Sequence, residues 1–198
     1  MCKIVTGLSV SVDGYIAGPG DERGRPLGVG GQRLFEWYSD GDTPSRLYPS
    51  FRLSAVSAAF FDGFAGRCGA VITGRRTYDI ADGWAGNGPL PGQPLFVLTH
   101  HPPETRFTDA PYTYVTTGIG DAIRQARDAA RDRDVSLMGS AAVRQALAAG
   151  LLDEIILHQV PVLLGGGVRL LDEIPADLRR TGVVEAPGVT HLTYEVIR

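Results

Sequence analysis

The chain has 198 residues, 43% of them hydrophobic and 21% charged, with a formal net charge of −3. That balance describes a globular protein with room for a substantial core, and its slight acidity argues against a general binder of nucleic acid or anionic membranes. The only two cysteines, Cys2 and Cys68, lack a C-x-x-C spacing, which points away from a disulfide framework or zinc ribbon and toward a reducing compartment.

Residues 3–12, "KIVTGLSVSV", alternate well enough for a strand and follow the initial Met-Cys directly, with no signal-peptide pattern. No apolar run approaches the ~20 residues that span a bilayer, so a cytoplasmic protein is expected. Glycine-rich "VDGYIAGPGDERGRPLGVGG" then reads as a loop, and "LFEWY" at 34–38 concentrates three aromatics before Pro44 and Pro49. "SFRLSAVSAAFFDGFAG" carries apolar residues at helical spacing and reads as a helix. A strand at 69–73 leads into a short helix from about Arg75, broken by "DGWAGNGPLPGQP". Strands follow at 95–99 and 112–117, then an amphipathic helix in "GDAIRQARDAARDRD". "VSLMG" at 135–139 is a strand, and "SAAVRQALAAG" a helix with Ser140 as N-cap and Gly150 just past its end. "DEIILHQVPVLLGGG" reads as one long strand, and β segments at 178–185 and 190–197 close the chain. Alternating strands and helices with a β-rich tail predict a single α/β domain over 1–198: a mostly parallel central sheet with antiparallel C-terminal edge strands.

Three strand ends carry residues suited to a nucleotide: "VITG" before Arg75-Arg76-Thr77, "FVLT" before His100-His101, and "SLMG" before Ser140-Ala141-Ala142. In an open parallel sheet, ligands bind beyond the carboxyl ends of strands, where helix starts expose unpaired N–H groups. Two adjacent guanidinium groups at such a junction repel unless an anion lies between them or they point apart. That anion is either a cofactor phosphate or a neighbouring carboxylate. Other chemistries lack their residues. "GAVITGRRT" has no P-loop lysine, no G-x-G-x-x-G follows the first strand, and no G-x-S-x-G elbow occurs. The four histidines show no metal-ligand spacing. His158 and His191 lie inside strands and read as structural.

"LSVSVDGYIAG", "AVITGRRTYD", "PLFVLTHHPP", "VSLMGSAAVRQALAAGLLDEI" and "PVLLGGGVRLL", in that order, resemble the dihydrofolate-reductase-like superfamily. The branch they are most similar to holds the reductase half of the riboflavin-biosynthesis deaminase-reductase, of which a stand-alone member is expected here. The resemblance runs from residue 3 to 198 and implies that superfamily's three-layer fold, NADPH as cofactor and a homodimer. "GRRT" is similar to the family's Gly-Arg-x-Thr, which implies that Gly74, Arg75, Arg76 and Thr77 meet the adenosine 2′-phosphate and the pyrophosphate. Thr99 and His100 match the strand end completing the 2′-phosphate pocket. Met138, Gly139, Ser140, Ala141 and Val143 match the turn under the pyrophosphate and nicotinamide ribose, where many relatives have Gly-Gly. Ser9, Val10, Asp13, Ile16 and Ala17 match positions lining the nicotinamide. Asp13 is either a turn-former or a site acid. Phe35, Trp37 and Tyr38 either stack on a planar substrate as a lid or pack that lid on the core or a partner subunit.

The substrate side departs from the relatives. Folate-reducing members place a carboxylate on the helix after the first loop, for which Glu36, Asp40 and Asp42 are the candidates here. Riboflavin-pathway reductases carry an acid where this chain has Leu137-Met138. The expected activity is hydride transfer from NADPH to a pterin- or pyrimidine-like heterocycle or a small carbonyl or imine. The rival is a non-catalytic NADPH-binding or interaction protein that kept the fold.

Overall fold

Ile4, Val5 and Thr6 are wholly shielded from solvent, and the strand they open, β1 (Ile4–Ser11), runs through the middle of the main sheet. A computed structural model describes residues 2–104, 107, 109–172 and 174–197 of the chain. The strands are β1, β2 (Tyr15–Ala17), β3 (Thr43–Pro44), β4 (Arg52–Leu53), β5 (Cys68–Gly74), β6 (Leu95–Leu98) and β7 (Tyr112–Val115). They continue with β8 (Asp134–Met138), β9 (Glu154–Val160), β10 (Val168–Arg169), β11 (Leu178–Ala186) and β12 (Val189–Val196). Four helices, α1 (Ala55–Arg67), α2 (Arg75–Ile80), α3 (Ile119–Ala130) and α4 (Ser140–Ala148), lie between them. Eight strands form one sheet in the order β11-β12-β9-β1-β8-β5-β6-β7. From β9 to β7 every pair is parallel, while β12 and β11 join antiparallel.

Burial explains the pattern. Every residue of β5 is buried, as a parallel strand covered on both faces requires. Period-two alternation sends Ile4, Ile72, Val135 and Leu137 to the face covered by α3 and α4, and Val5, Val71 and Val97 to the other. On the first face Ala122 and Ala126 of α3 and Ala142 and Ala146 of α4 are fully buried, small enough to let the helices approach the sheet closely. β11, at the margin, exposes most of its residues.

Several boundaries differ from the sequence expectation. The run 153–167 is a strand only to Val160, because Pro161 has no N–H to donate and the N–H of Val162 turns back to the Val160 carbonyl. Gly139, not Ser140, occupies the N-cap of α4, with Ser140 as its first helical residue. The amphipathic helix ends at Ala130, where Arg131 takes a positive φ of 60°. The glycine-rich loop contains β2, paired with β10, and "LFEWY" falls in a 3-10 helix over Gly31–Tyr38.

His158 and His191 sit opposite each other on β9 and β12, both fully buried. Their Nδ1 atoms lie 2.9 Å apart, and His191 Nε2 meets the Ser57 hydroxyl on α1 at 3.1 Å. One proton serves the two Nδ1 atoms, so the two rings cannot both be charged. The Phe60 ring stacks on His191 at 4.5 Å, and Trp37 lies 5.1 and 5.2 Å from the two imidazoles. Burial pushes His158 down to about 3, aided by the neighbouring imidazole, and His191 down to about 4. Folded-state values below the ordinary value mean that the unfolded chain binds protons first, so stability is complete above about pH 6.5 and falls as pH drops toward 4. The expected slope is about 1.4 kcal/mol per pH unit for each histidine. Urea denaturation between pH 4.5 and 7.5 measures it; His158→Leu is expected to flatten the slope whatever it does to the midpoint.

Candidate cofactor site

Because β1, β8, β5 and β6 are parallel, their carboxyl ends gather on one edge of the sheet, with β8 between β1 and β5. The turns after β8 and β5 are in contact there. Gly139 holds φ at +83°, and a side chain at that position would collide with the Thr77 hydroxyl. A Cβ on Gly74 would come within 3.3 Å of Ala141. Neither α2 nor α4 has a side-chain N-cap. For the nine-residue α4, this leaves its leading N–H groups without a side-chain cap next to the junction with α2. Ser140 is buried and Ala141 exposed at its mouth, and the Met138 carbonyl is tied to the Thr73 hydroxyl at 3.1 Å.

The two arginines point apart, each to its own carboxylate. Arg75 Nε donates to both carboxylate oxygens of Asp79 at 2.8 Å, while its Nη1 reaches the His101 carbonyl at 2.6 Å and Thr99 Oγ1 at 3.3 Å. Arg76 Nη2 turns to the first loop, donating to Asp21 Oδ1 at 2.7 Å and to the Asp21 carbonyl at 2.8 Å. Beside Arg75 an open cleft of about 330 Å³ is lined by Thr99, His100, His101, Thr116 and Gln145. Arg75, Arg76, Thr77, Thr99 and His100 thus stand around one edge, as do Gly139, Ser140 and Ala141. Thr116 and Gln145 were not singled out from the sequence. For Gln145 the signal was present: it lies four residues after Ala141, on the same exposed face of α4.

The residues expected around the nicotinamide are placed less uniformly. Ser9 is buried and accepts the Trp37 indole N–H at 3.1 Å; Val10 and Ala17 are buried, and Ile16 is half-buried against the core. Val143 lies wholly inside the core, so its side chain offers no contact surface. Trp37 is also a core residue, packed with Leu34, Leu53 and Phe61 rather than set in a lid, because its N–H finds a buried partner in Ser9. Tyr38 stacks on Phe51 at 4.5 Å, and Phe35 is half-buried beside it.

Asp13 bridges two loops. Its carboxylate accepts the N–H of Gly165 at 2.7 Å and that of Leu164 at 3.2 Å, about 150 residues along the chain. The Ser11 hydroxyl first, then these N–H groups, hold its carboxyl down at about 2. A carboxylate so held has no proton to give at neutral pH. Among the described residues no group of three or more His, Cys, Asp or Glu is placed to hold a metal, and no helix is long and apolar enough to cross a membrane.

The sheet order, the glycine junctions and the cationic cleft define a fold of dihydrofolate-reductase type. It superposes on dihydrofolate reductase from Enterococcus faecalis, solved with NADP(H), with a TM-score of 0.55 at 14% identity, covering 98% of this chain and 96% of that one. The profile of the RibD C-terminal domain matches residues 2–191, and the chain belongs to that family. A protein from Shewanella sp. PV-4 named for riboflavin biosynthesis matches over all of both chains with a TM-score of 0.74 and 23% identity. A pyrimidine reductase-like protein from Corynebacterium diphtheriae matches over all of this chain and 92% of its own, with a TM-score of 0.63 and 15% identity. Comparison with curated protein sequences gives no match.

The contact between the two junctions is testable by itself. Gly139→Ala imposes a strained φ and a collision with Thr77, and is expected to destabilise the protein by about 1–3 kcal/mol, lowering Tm by about 2–12 °C. Adding Thr77→Ala relieves the collision but not the strain, so it should restore only part of the loss. An unchanged Tm in Gly139→Ala would contradict the contact.

Proposed function

We propose that the chain is an NADPH-dependent oxidoreductase that reduces a planar pterin- or pyrimidine-like heterocycle, or a small carbonyl or imine. The observation that carries this reading is the cleft at Arg75, Thr99 and His100 beside the glycine cradle of Gly139. Membership of the RibD C-terminal domain family supports it. Arg75 is preorganised, with its planar fork already set by Asp79 and the His101 carbonyl, so an incoming 2′-phosphate costs little side-chain ordering. His100 adds a donor beside it, and Thr99, whose hydroxyl donates to the His101 carbonyl, helps to fix the strand end. The leading N–H groups of α4 serve the pyrophosphate, which can come close because Gly139 has no Cβ. Bound NADPH supplies the hydride. The protein's part is to hold the two reactants in register and exclude water. Buried Val10 and Ala17 form the floor, and the loops after β1 and β9, tied through Asp13, form one wall.

No proton donor is assigned to Asp13, which is already ionised, so in this reading the proton comes from solvent or from a group on the substrate-side loops. The same observation favours the second reading, a non-catalytic NADPH-binding protein. Turnover against a panel of pterins, pyrimidines and small carbonyls separates the two.

NADPH is expected to bind at least tenfold more tightly than NADH, because a charge-assisted pair with the 2′-phosphate is worth ~1.5–3 kcal/mol. Arg75→Ala should abolish most of that preference and leave NADH nearly unaffected. Equal wild-type affinities, measured by quenching of protein fluorescence, would sink the assignment.

The reading includes a cytoplasmic homodimer. β11 presents an unpaired edge of the main sheet, and Leu178 and Val183 on it are 41% and 45% exposed, a margin that a second copy would cover. Sedimentation equilibrium at micromolar concentration should give twice the mass of one chain; a monomer would remove this part.

A further inference from the structure

The glycine-rich segment after β2 is a flap with a rigid root and a charged tip. At its root Gly18 N donates to the Leu27 carbonyl at 2.8 Å and Val29 N to the Pro19 carbonyl at 2.9 Å, while Glu22 and Arg25 exchange backbone bonds at the tip. Gly18, Gly28 and Gly167 bring three stretches of backbone together so closely that a Cβ on any of them would strike main chain. The tip is fastened differently. Asp21 pairs with Arg76 at the start of α2, and Arg23 pairs with Asp82 just beyond α2 at 2.5 Å. Asp82 opens a turn in which Asp82, Trp84 and Ala85 all have positive φ near 50°, braced by the Tyr112 hydroxyl on the Gly83 carbonyl. The second anchor is therefore a stiff one.

The sheet order sets the course of the flap from the β1 side to α2. The flap leaves the β1 side of the sheet and reaches α2, which follows β5, while β8 lies between β1 and β5. Its tip must bridge the end of β8, where Gly139 begins α4, a span of about 10 Å for two strand spacings. The Asp21 side chain is only 13% exposed, turned inward on an Arg76 that is 64% exposed.

We propose that Asp21 stands on Arg76 in place of a cofactor phosphate, so that dinucleotide binding and fastening of the flap compete for one guanidinium. This rests on the reading that NADPH fills the groove. A phosphate is the stronger partner for a guanidinium, since it offers more charge and matches the fork bidentately. Entry of the pyrophosphate frees the tip at Asp21 and leaves Arg23–Asp82 as the remaining ionic hold. The pyrophosphate is common to NADPH and NADH, so this competition is blind to the 2′-phosphate, unlike the role of Arg75.

The test uses the full chain, with Asp21→Asn and Arg23→Gln as variants. In the protein without nucleotide, hydrogen exchange at the Glu22 and Arg25 amides is expected to quicken by about two- to fivefold in both, the scale of one exposed ion pair. Asp21→Asn should also tighten NADPH and NADH by the same factor, about two- to fivefold, while Arg23→Gln tightens neither. Unchanged exchange in both variants, or weaker binding of both nucleotides by Asp21→Asn, would overturn the proposal. If the wild type binds NADPH and Asp21→Asn leaves its affinity unchanged, only the competition falls. If the wild type binds neither nucleotide, the functional reading falls and takes the competition with it.

Discussion

Gly139 can carry no side chain, and the geometry of the groove depends on that constraint. Its positive φ turns the chain from β8 into α4 within one residue, and the missing Cβ lets the turn rest on Thr77 at the start of α2. Two strand-to-helix junctions that are 65 residues apart in sequence thereby become one surface. The parallel sheet alone brings strand ends to the same edge. The glycine contact sets their spacing, and with it the space open to a ligand beside Arg75.

Electrostatics completes this surface without crowding it. Side-by-side arginines are tolerable because α2 projects them in different directions, Arg75 along its own helix to Asp79 and Arg76 across to the flap. Both alternatives posed by the sequence, an anion between them or divergence, thus resolve as divergence, with a carboxylate for each. Each guanidinium therefore holds a carboxylate, Arg75 within its own helix beside an open cleft and the more exposed Arg76 across to the flap.

The parts legible in the sequence were those governed by neighbours along the chain. Apolar runs marked β5, β6 and β8, and the residues following them marked the cluster of Arg75, Thr99 and Ser140. The antiparallel tail showed in its alternation. What escaped was decided by contacts distant in sequence. For Trp37 the sequence leaves lid stacking and core packing open, and the choice falls to Ser9, 28 residues earlier, which accepts its indole N–H. Asp13 followed by glycine looks like a self-contained turn, yet its carboxylate reaches Gly165. The apolar character of "VPVLL" continues past Val160, but a strand needs a donor where Pro161 has none. No local pattern announces that Asp21 meets Arg76, because the meeting requires the sheet order to be known.

The means by which each wall is held grades its stiffness. Beneath β1, Trp37, His158, His191 and Ser57 form a buried polar cluster whose bonds are sheltered from water. Breaking one such bond exposes an unsatisfied buried group, at about 1–3 kcal/mol. The β5–β8 side is held by close packing of Gly139 on Thr77 and of Gly74 on Ala141. The flap tip is held by two ion pairs whose guanidinium ends are exposed, and pairs of this kind are worth about 0.2–1 kcal/mol each and weakened by salt. Thermal energy is about 0.6 kcal/mol, so only this third wall opens readily at room temperature. Under the proposed reading, a groove that admits and releases a long, charged dinucleotide needs one yielding wall and two fixed ones, and the distribution of interactions in this chain is of that kind.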